Sequence, residues 1–205
     1  MRSYRAGMTR DTDTDIDWTP RLLDQLTWHW EHHLRPGLDG LTDDEYLWEP
    51  VPGCWNVRRR GESTAPIAAG SGDWVVDFAW PEPDPAPVTT IAWRLAHIIV
   101  GLFGTRNAAH FGGPPADYPT WAYAGEAKVA LEQLDEGYER WVAGVRSLGA
   151  EGLERPIGPA EGEWAEFSYA ELVLHINREV IHHGAEVLLL RDLYHHSGGR
   201  GIVTR

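Results

Sequence analysis

Apolar residues recur at intervals of three and four along four long segments of the chain, the period of helices that bury one face. The last segment is the most informative. Between Leu172 and Tyr194, the residues Leu172, Ile176, Val187, Leu190 and Tyr194 share one stripe at about 100° of rotation per residue, and Glu179 and His183 fall at its centre. Ser168 stands where a helix cap belongs, and Ser197-Gly-Gly marks the end. The first segment opens at Thr19-Pro20, carries Leu23, Leu26, Trp30 and Leu34 inward, and is predicted to stop near Leu34, before Pro36-Gly37. The second runs from Thr89-Thr90 to about Phe111, with Trp93, His97, Val100, Gly101 and Gly104 on one face. The third runs from about Ala124 to Leu148 and repeats Leu131, Leu134, Tyr138, Trp141, Val145 and Leu148.

The intervening stretches are punctuated differently. Leu41 to Trp48 carries a Thr42-x-x-Glu45 capping box and reads as a short helix. Glu49 to Val57 is a Pro/Gly loop bearing Trp55, and Gly70 to Trp80 alternates around Trp74, Val76 and Phe78 as one or two short strands. Pro81 to Pro87 bars helix, and Gly112 to Tyr123 and Gly149 to Phe167 are further connections. The pattern predicts an all-α four-helix bundle, with a long loop and room for a short β-hairpin between the first two helices. A leader at 1–17 with Asp-Thr repeats and a tail at 197–205 flank a single domain at 18–196.

Composition narrows the function classes. A chain of 205 residues suits one well-buried domain. Its net charge of -13 repels phosphate backbones and anionic membrane surfaces, which argues against nucleic acid and membrane partners. Cys54 is the only cysteine, so no internal disulfide framework exists, and no apolar run reaches the roughly 18 residues of a membrane span. A cytoplasmic protein is expected. Lys128 is the only lysine among many arginines, a usage associated with GC-rich bacterial genomes.

The candidate chemistry lies on the second and fourth helices. A carboxylate left unpaired in a core costs several kcal/mol, so Glu179 must be neutralised, paired or bound to a cation. A glutamate and a histidine one turn apart place an oxygen and a nitrogen on the same side of a helix, within reach of one divalent metal. The plain structural reading is a Glu–His hydrogen bond between packed helices. His97 also faces apolar or small neighbours, and if its helix adjoins the fourth, His97, Glu179 and His183 form a two-imidazole, one-carboxylate set that leaves a coordination position open. His175, one turn before Glu179, could orient that carboxylate or move a proton; His182 points away. Trp55, Trp93 and Tyr194 are candidate pocket walls. The chain also offers two rival sites: a His29-x-x-x-His33 pair, and an anion patch at Arg58-Arg59-Arg60, a run that otherwise reads as a solvated turn. Glu179-x-x-His182 has di-iron spacing, but no second Glu-x-x-His occurs.

Leu95-Ala-His-Ile98, Glu179-Val-Ile-His-His-Gly-Ala-Glu186, and the loop residues Leu41-Thr42, Trp48 and Trp55-Asn56 together resemble the DinB-like superfamily, over roughly residues 18–196. Many of those proteins have three histidine ligands. With Glu179 in place of one of them, this chain looks like the mycothiol-dependent maleylpyruvate isomerase branch. The resemblance implies a left-handed bundle of up-down-down-up connectivity and a divalent metal, zinc or nickel, at His97, Glu179 and His183. It also implies a thiol co-substrate such as mycothiol in an S-transferase or isomerase reaction, and the arginine-rich composition fits an actinobacterial source. The alternative is a non-catalytic metal- or ligand-binding bundle with a regulatory or structural role. A small-molecule substrate is the expected partner, and a homodimer is left open because no residue marks its surface.

Overall fold

The computed structural model describes residues 16–201; the expected leader before Ile16 and the tail from residue 202 lie outside the described residues. Three of the long helices begin where a side-chain oxygen meets a free backbone N–H. Helix α1 starts with Trp18–His29, and Asp17 rather than Thr19 is its cap, accepting the Thr19 N–H at 2.9 Å. It does not stop at Leu34. It continues through a π-helical Trp30–Leu34, in which the Arg35 N–H reaches the Trp30 carbonyl, into a last turn Arg35–Gly37. The widened turn accommodates Pro36, which has no N–H to give.

Helix α2, Asp43–Tyr46, closes the expected capping box with Thr42 and Glu45. Helix α3 comprises Ile91–Ala96, a π-helical His97–Gly104 and Thr105–His110, with Thr90 accepting the Trp93 N–H. Helix α4, Ala127–Glu154, breaks at Gly149 (φ 62°), which is where the sequence pattern ends. It has no side-chain cap of its own, and its Ala127 N–H is received by Asp43 at 2.8 Å. Helix α5, Tyr169–Ser197, is capped by a Ser168–Glu171 box and ended by Gly198 in the left-handed conformation.

Between α2 and α3 lie three strands where a hairpin was expected: β1 Val57–Arg59, β2 Ile67–Ala69 and β3 Trp74–Phe78, antiparallel in the order β1-β3-β2. Arg58 and Arg59 lie in β1 and Arg60 just after it, and the run stitches this sheet instead of making an anion patch. Arg58 pairs with Asp77 and Glu49 at 2.7 Å each, Arg59 lies over the Trp74 ring, and Arg60 donates to the carbonyls of Gly70 and Gly72.

Helices α1 and α3 each pack on both α4 and α5, around a core that includes Leu26, Leu95, Phe103, Leu134, Trp141 and Ile176. The buried face of α5 is rotated from the stripe expected. Val173, Asn177, Val180 and Gly184 are buried along with Leu172, Ile176, His183 and Val187, whereas Leu190 and Tyr194 are half-buried. Three neighbouring helices cover a wider arc than a single seam, so Glu179 and His183 stand at its edge and not its centre. Among the described residues no helix is long and apolar enough to cross a membrane.

Glu45 joins the loop region to the end of α5. It is 2% exposed, and one carboxylate oxygen is 3.1 Å from Arg191 Nε and 2.9 Å from His195 Nε2, while the other accepts from Thr42. Burial pushes its pKa up, but the hydrogen bonds from Thr42 and Arg191 prevail and hold it below the ordinary value. The expected consequence is that Glu45→Gln lowers unfolding stability by about 3 kcal/mol in urea titrations at neutral pH, as for other broken buried pairs.

Candidate metal centre

The centre is assembled where α3 meets α5. His97 is the first residue of the π-helical stretch of α3, and its ring lies nearly parallel to Trp93 at 5.9 Å between centroids. His183, buried on α5, meets it edge-on, with centroids 4.8 Å apart and planes at 90°. Glu179, one turn earlier on α5, places Oε2 at 3.6 Å from His183 Nε2. The two helices thus bring His97 to His183, and His183 to Glu179.

Each imidazole is tied from behind. His97 Nδ1 is 2.7 Å from the Tyr118 hydroxyl, and His183 Nδ1 is 2.7 Å from Glu186 Oε2. Arg94 NH1 stands farther from the same His183 nitrogen, at 3.4 Å, and Arg94 Nε pairs with Glu186 at 3.1 Å. The shorter, charge-assisted contact makes His183 Nδ1 the donor to Glu186, which leaves the Nε2 lone pair available. The tautomer of His97 that donates Nδ1–H to Tyr118 leaves its Nε2 likewise. Among the described residues neither Nε2 is hydrogen-bonded, the Glu179 oxygen standing 3.6 Å from that of His183.

The charge states suit cation binding. Burial, followed by repulsion from His183 and Arg94, lowers the His97 pKa to about 4, so it is a neutral imidazole near pH 7. Burial pushes the Tyr118 phenol up to about 12 and keeps it neutral. For Glu179, burial acts upward, but the Arg178 hydrogen bond and the charges of His175, Arg178 and His183 hold it below the ordinary carboxylate value. A neutral imidazole and an ionised carboxylate are the forms that ligate metals.

The other candidates divide. His175 does adjoin the site: its Nδ1 is 3.8 Å from Glu179 Oε1 and accepts from Arg178 at 2.8 Å. Trp55 and Trp93 continue the row away from His97, 5.8 Å apart. Tyr194 does not join them; it packs edge-on against Trp48 at 5.6 Å, near the end of α5. His182 is exposed, with Nε2 3.6 Å from Glu186 Oε1. Among the described residues His182, His183 and Glu186 are the one group of three whose ligand atoms lie within 4.8 Å of one another; His97, Glu179 and His183 do not draw together that closely, because His97 meets His183 and not Glu179. The rival pair His29 and His33 stacks its rings at 5.9 Å and 27°, with His33 exposed and the buried His29 Nε2 unpartnered beside Gly184.

Three residues of the site escaped sequence reasoning. Tyr118 comes from a loop, and its sign in the sequence was Gly101: a Cβ there would overlap the Tyr118 hydroxyl. Glu186 follows His183 by three residues, a spacing that lets a carboxylate orient an imidazole. Arg94, which lies 5.4 Å over the Trp93 ring, gave no signal.

The family model of the DinB superfamily matches residues 25–187, and the chain belongs to that superfamily. No curated protein and no solved structure gives a significant match.

The depressed pKa of His97 sets a pH dependence. The unfolded chain titrates this group near 6.5 and the folded chain near 4, so between those values the unfolded state binds more protons. Stability is full above about pH 6.5 and falls as the pH drops towards 4, by at most about 3 kcal/mol from this group. Urea midpoints of chelator-treated protein between pH 7.5 and 4.5 are expected to drop less steeply in His97→Asn than in the parent.

Proposed function

We propose that His97 Nε2, His183 Nε2 and a Glu179 oxygen hold one divalent ion, zinc or nickel, in a bundle of up-down-down-up connectivity. The reading makes the protein a metal-dependent thiol S-transferase or isomerase, with a mycothiol-type thiol as co-substrate. The observation that carries it is the pair of rear hydrogen bonds, from His97 Nδ1–H to the Tyr118 hydroxyl and from His183 Nδ1–H to Glu186, the tautomers that leave both Nε2 lone pairs free, with the rings 4.8 Å apart and an ionised carboxylate 3.6 Å from His183 Nε2. The donor set fits a catalytic ion, since two imidazoles and one carboxylate leave a position open. Membership of a superfamily of metal-binding proteins supports it further.

When bound, the ion supplies a Lewis acid that lowers the pKa of a thiol or water. The chain's own residues do the positioning. Glu186 fixes the tautomer and ring angle of His183, with Arg94 holding that carboxylate in place. Tyr118 does the same for His97. His175, beside Glu179 Oε1, is placed to orient that carboxylate or to carry a proton at its ring nitrogen. Trp55 and Trp93 keep water from one side of His97.

The second reading puts the ion on His182, His183 and Glu186, in a non-catalytic binding module. The Arg94 guanidinium already stands 3.1 Å from Glu186, where it opposes a second cation. Elemental analysis of natively purified protein separates the two. Near-stoichiometric metal is expected in the parent and in His182→Ala, and at least a tenfold loss in His97→Ala and in Glu179→Ala. Equal metal in the parent and Glu179→Ala sinks the assigned ligands. A mycothiol transfer assay with a model electrophile, with and without chelator, then distinguishes an enzyme from a binder.

Glu186→Ala tests the support given to His183. Its metal affinity is expected to fall about 10- to 100-fold, measured by competition with a chromogenic chelator.

A further inference from the structure

A cavity of about 510 Å³ lies beside the metal centre, between the 157–167 connection and the first turns of α5. That volume is within the range of small-molecule sites, and its walls have two distinct ends. One is apolar and uncovered: Trp164 is 52% exposed, Leu174 52% and Phe167 43%, a concentration of large apolar surface that monomeric proteins seldom leave open without use.

The other end is polar, and its hydrogen bonds are unevenly satisfied. The carboxylates on the wall are committed. Glu161 accepts from His110 Nε2 at 2.9 Å and Arg106 NH2 at 3.2 Å, and Glu171 folds back to accept from the backbone N–H and hydroxyl of Ser168. The donors are not. Arg178 uses Nε on Glu179 and NH2 on His175, which leaves its NH1 hydrogens; its side chain is 69% exposed. His175 accepts at Nδ1 and therefore keeps an Nε2–H. A wall with free donors and committed acceptors calls for a ligand that brings acceptors.

We propose that this cavity binds a small carboxylic acid with an apolar or aromatic body, its carboxylate on Arg178 and His175 and its body against Trp164, Phe167 and Leu174. The free NH1 hydrogens of Arg178 and the Nε2–H of His175 suit the two oxygens of one carboxylate, and the indole and phenyl faces match a hydrocarbon chain or ring. The acid head then lies one helical turn from Glu179. The site rests on the cavity's own residues and stands whether or not the ion assignment holds.

Calorimetric titration of the full chain, freed of metal by chelator, with 4-phenylbutyrate as probe tests the site. The neutral 4-phenylbutanol and the bodiless acetate are the controls. Submillimolar binding of the acid, at least tenfold tighter than the alcohol, with none for acetate, is expected. Arg178→Ala, an exposed position whose fold is checked by circular dichroism, is expected to weaken the acid at least fivefold and leave the alcohol unchanged; Trp164→Ala weakens both. Equal affinity for acid and alcohol, no heat at millimolar acid, or parental affinity in both variants overturns the proposal. So does affinity that declines as the chain is concentrated, the result expected if a second copy covers the cavity. Since no metal is present, these results are independent of the ion assignment.

Discussion

The meeting of His97 and His183 is the contact around which the site is built. Two imidazoles set at right angles 4.8 Å apart inside a bundle repel one another as soon as both are charged, and burial disfavours the charge of His97. The fold resolves this by giving each ring a partner at Nδ1 and keeping His97 neutral. The Glu179 carboxylate lies 3.6 Å from the remaining nitrogen of His183, which is the ground for the ion site proposed above.

Holding the contact requires distant parts of the chain. The Tyr118 hydroxyl reaches His97 only because Gly101 has no side chain, and Tyr118 is in turn held at its carbonyl by the Tyr123 hydroxyl at 3.0 Å. On the other flank the three-stranded sheet fixes the start of α3. Asp77 accepts from the Asn56 N–H and from Arg58, Asn56 accepts from Thr90, and the Asp77 carbonyl accepts from the Trp93 indole. The sheet therefore acts as a bracket that sets where α3 begins and how far along it His97 falls. The π-helical register that begins at His97 widens the helix at the same point, a distortion often found where a helix carries function.

The end of α5 is fixed separately. Glu45, held by its own capping box, grips Arg191 and His195, and Arg191 also donates to the Gly37 carbonyl at the end of α1. Anchored there and capped by Ser168 at the other end, α5 presents Glu179 and His183 to α3 on one side and His175 and Arg178 to the cavity on the other. One helix thus faces both the candidate metal centre and the cavity, and the spacing of one turn between His175 and Glu179 connects them.

The helices and the caps at Thr42, Thr90 and Ser168 were legible along the chain, because these depend on near neighbours. Period three to four, Ser168 with Glu171, Thr42 with Glu45, and the Glu179–His183 spacing are all local facts. Resemblance over most of the chain pointed to the superfamily that the family model then matched. Packing alone settled which face of α5 is buried, that Trp55 and Trp93 approach His97 while Tyr194 does not, and that Arg58, Arg59 and Arg60 bind a sheet together. Those outcomes depend on which segments become neighbours. A Tyr118 that meets His97 from 21 residues away, or an Arg191 that meets Glu45 from 146 away, is set by the packing of whole helices and leaves no periodic trace in the chain.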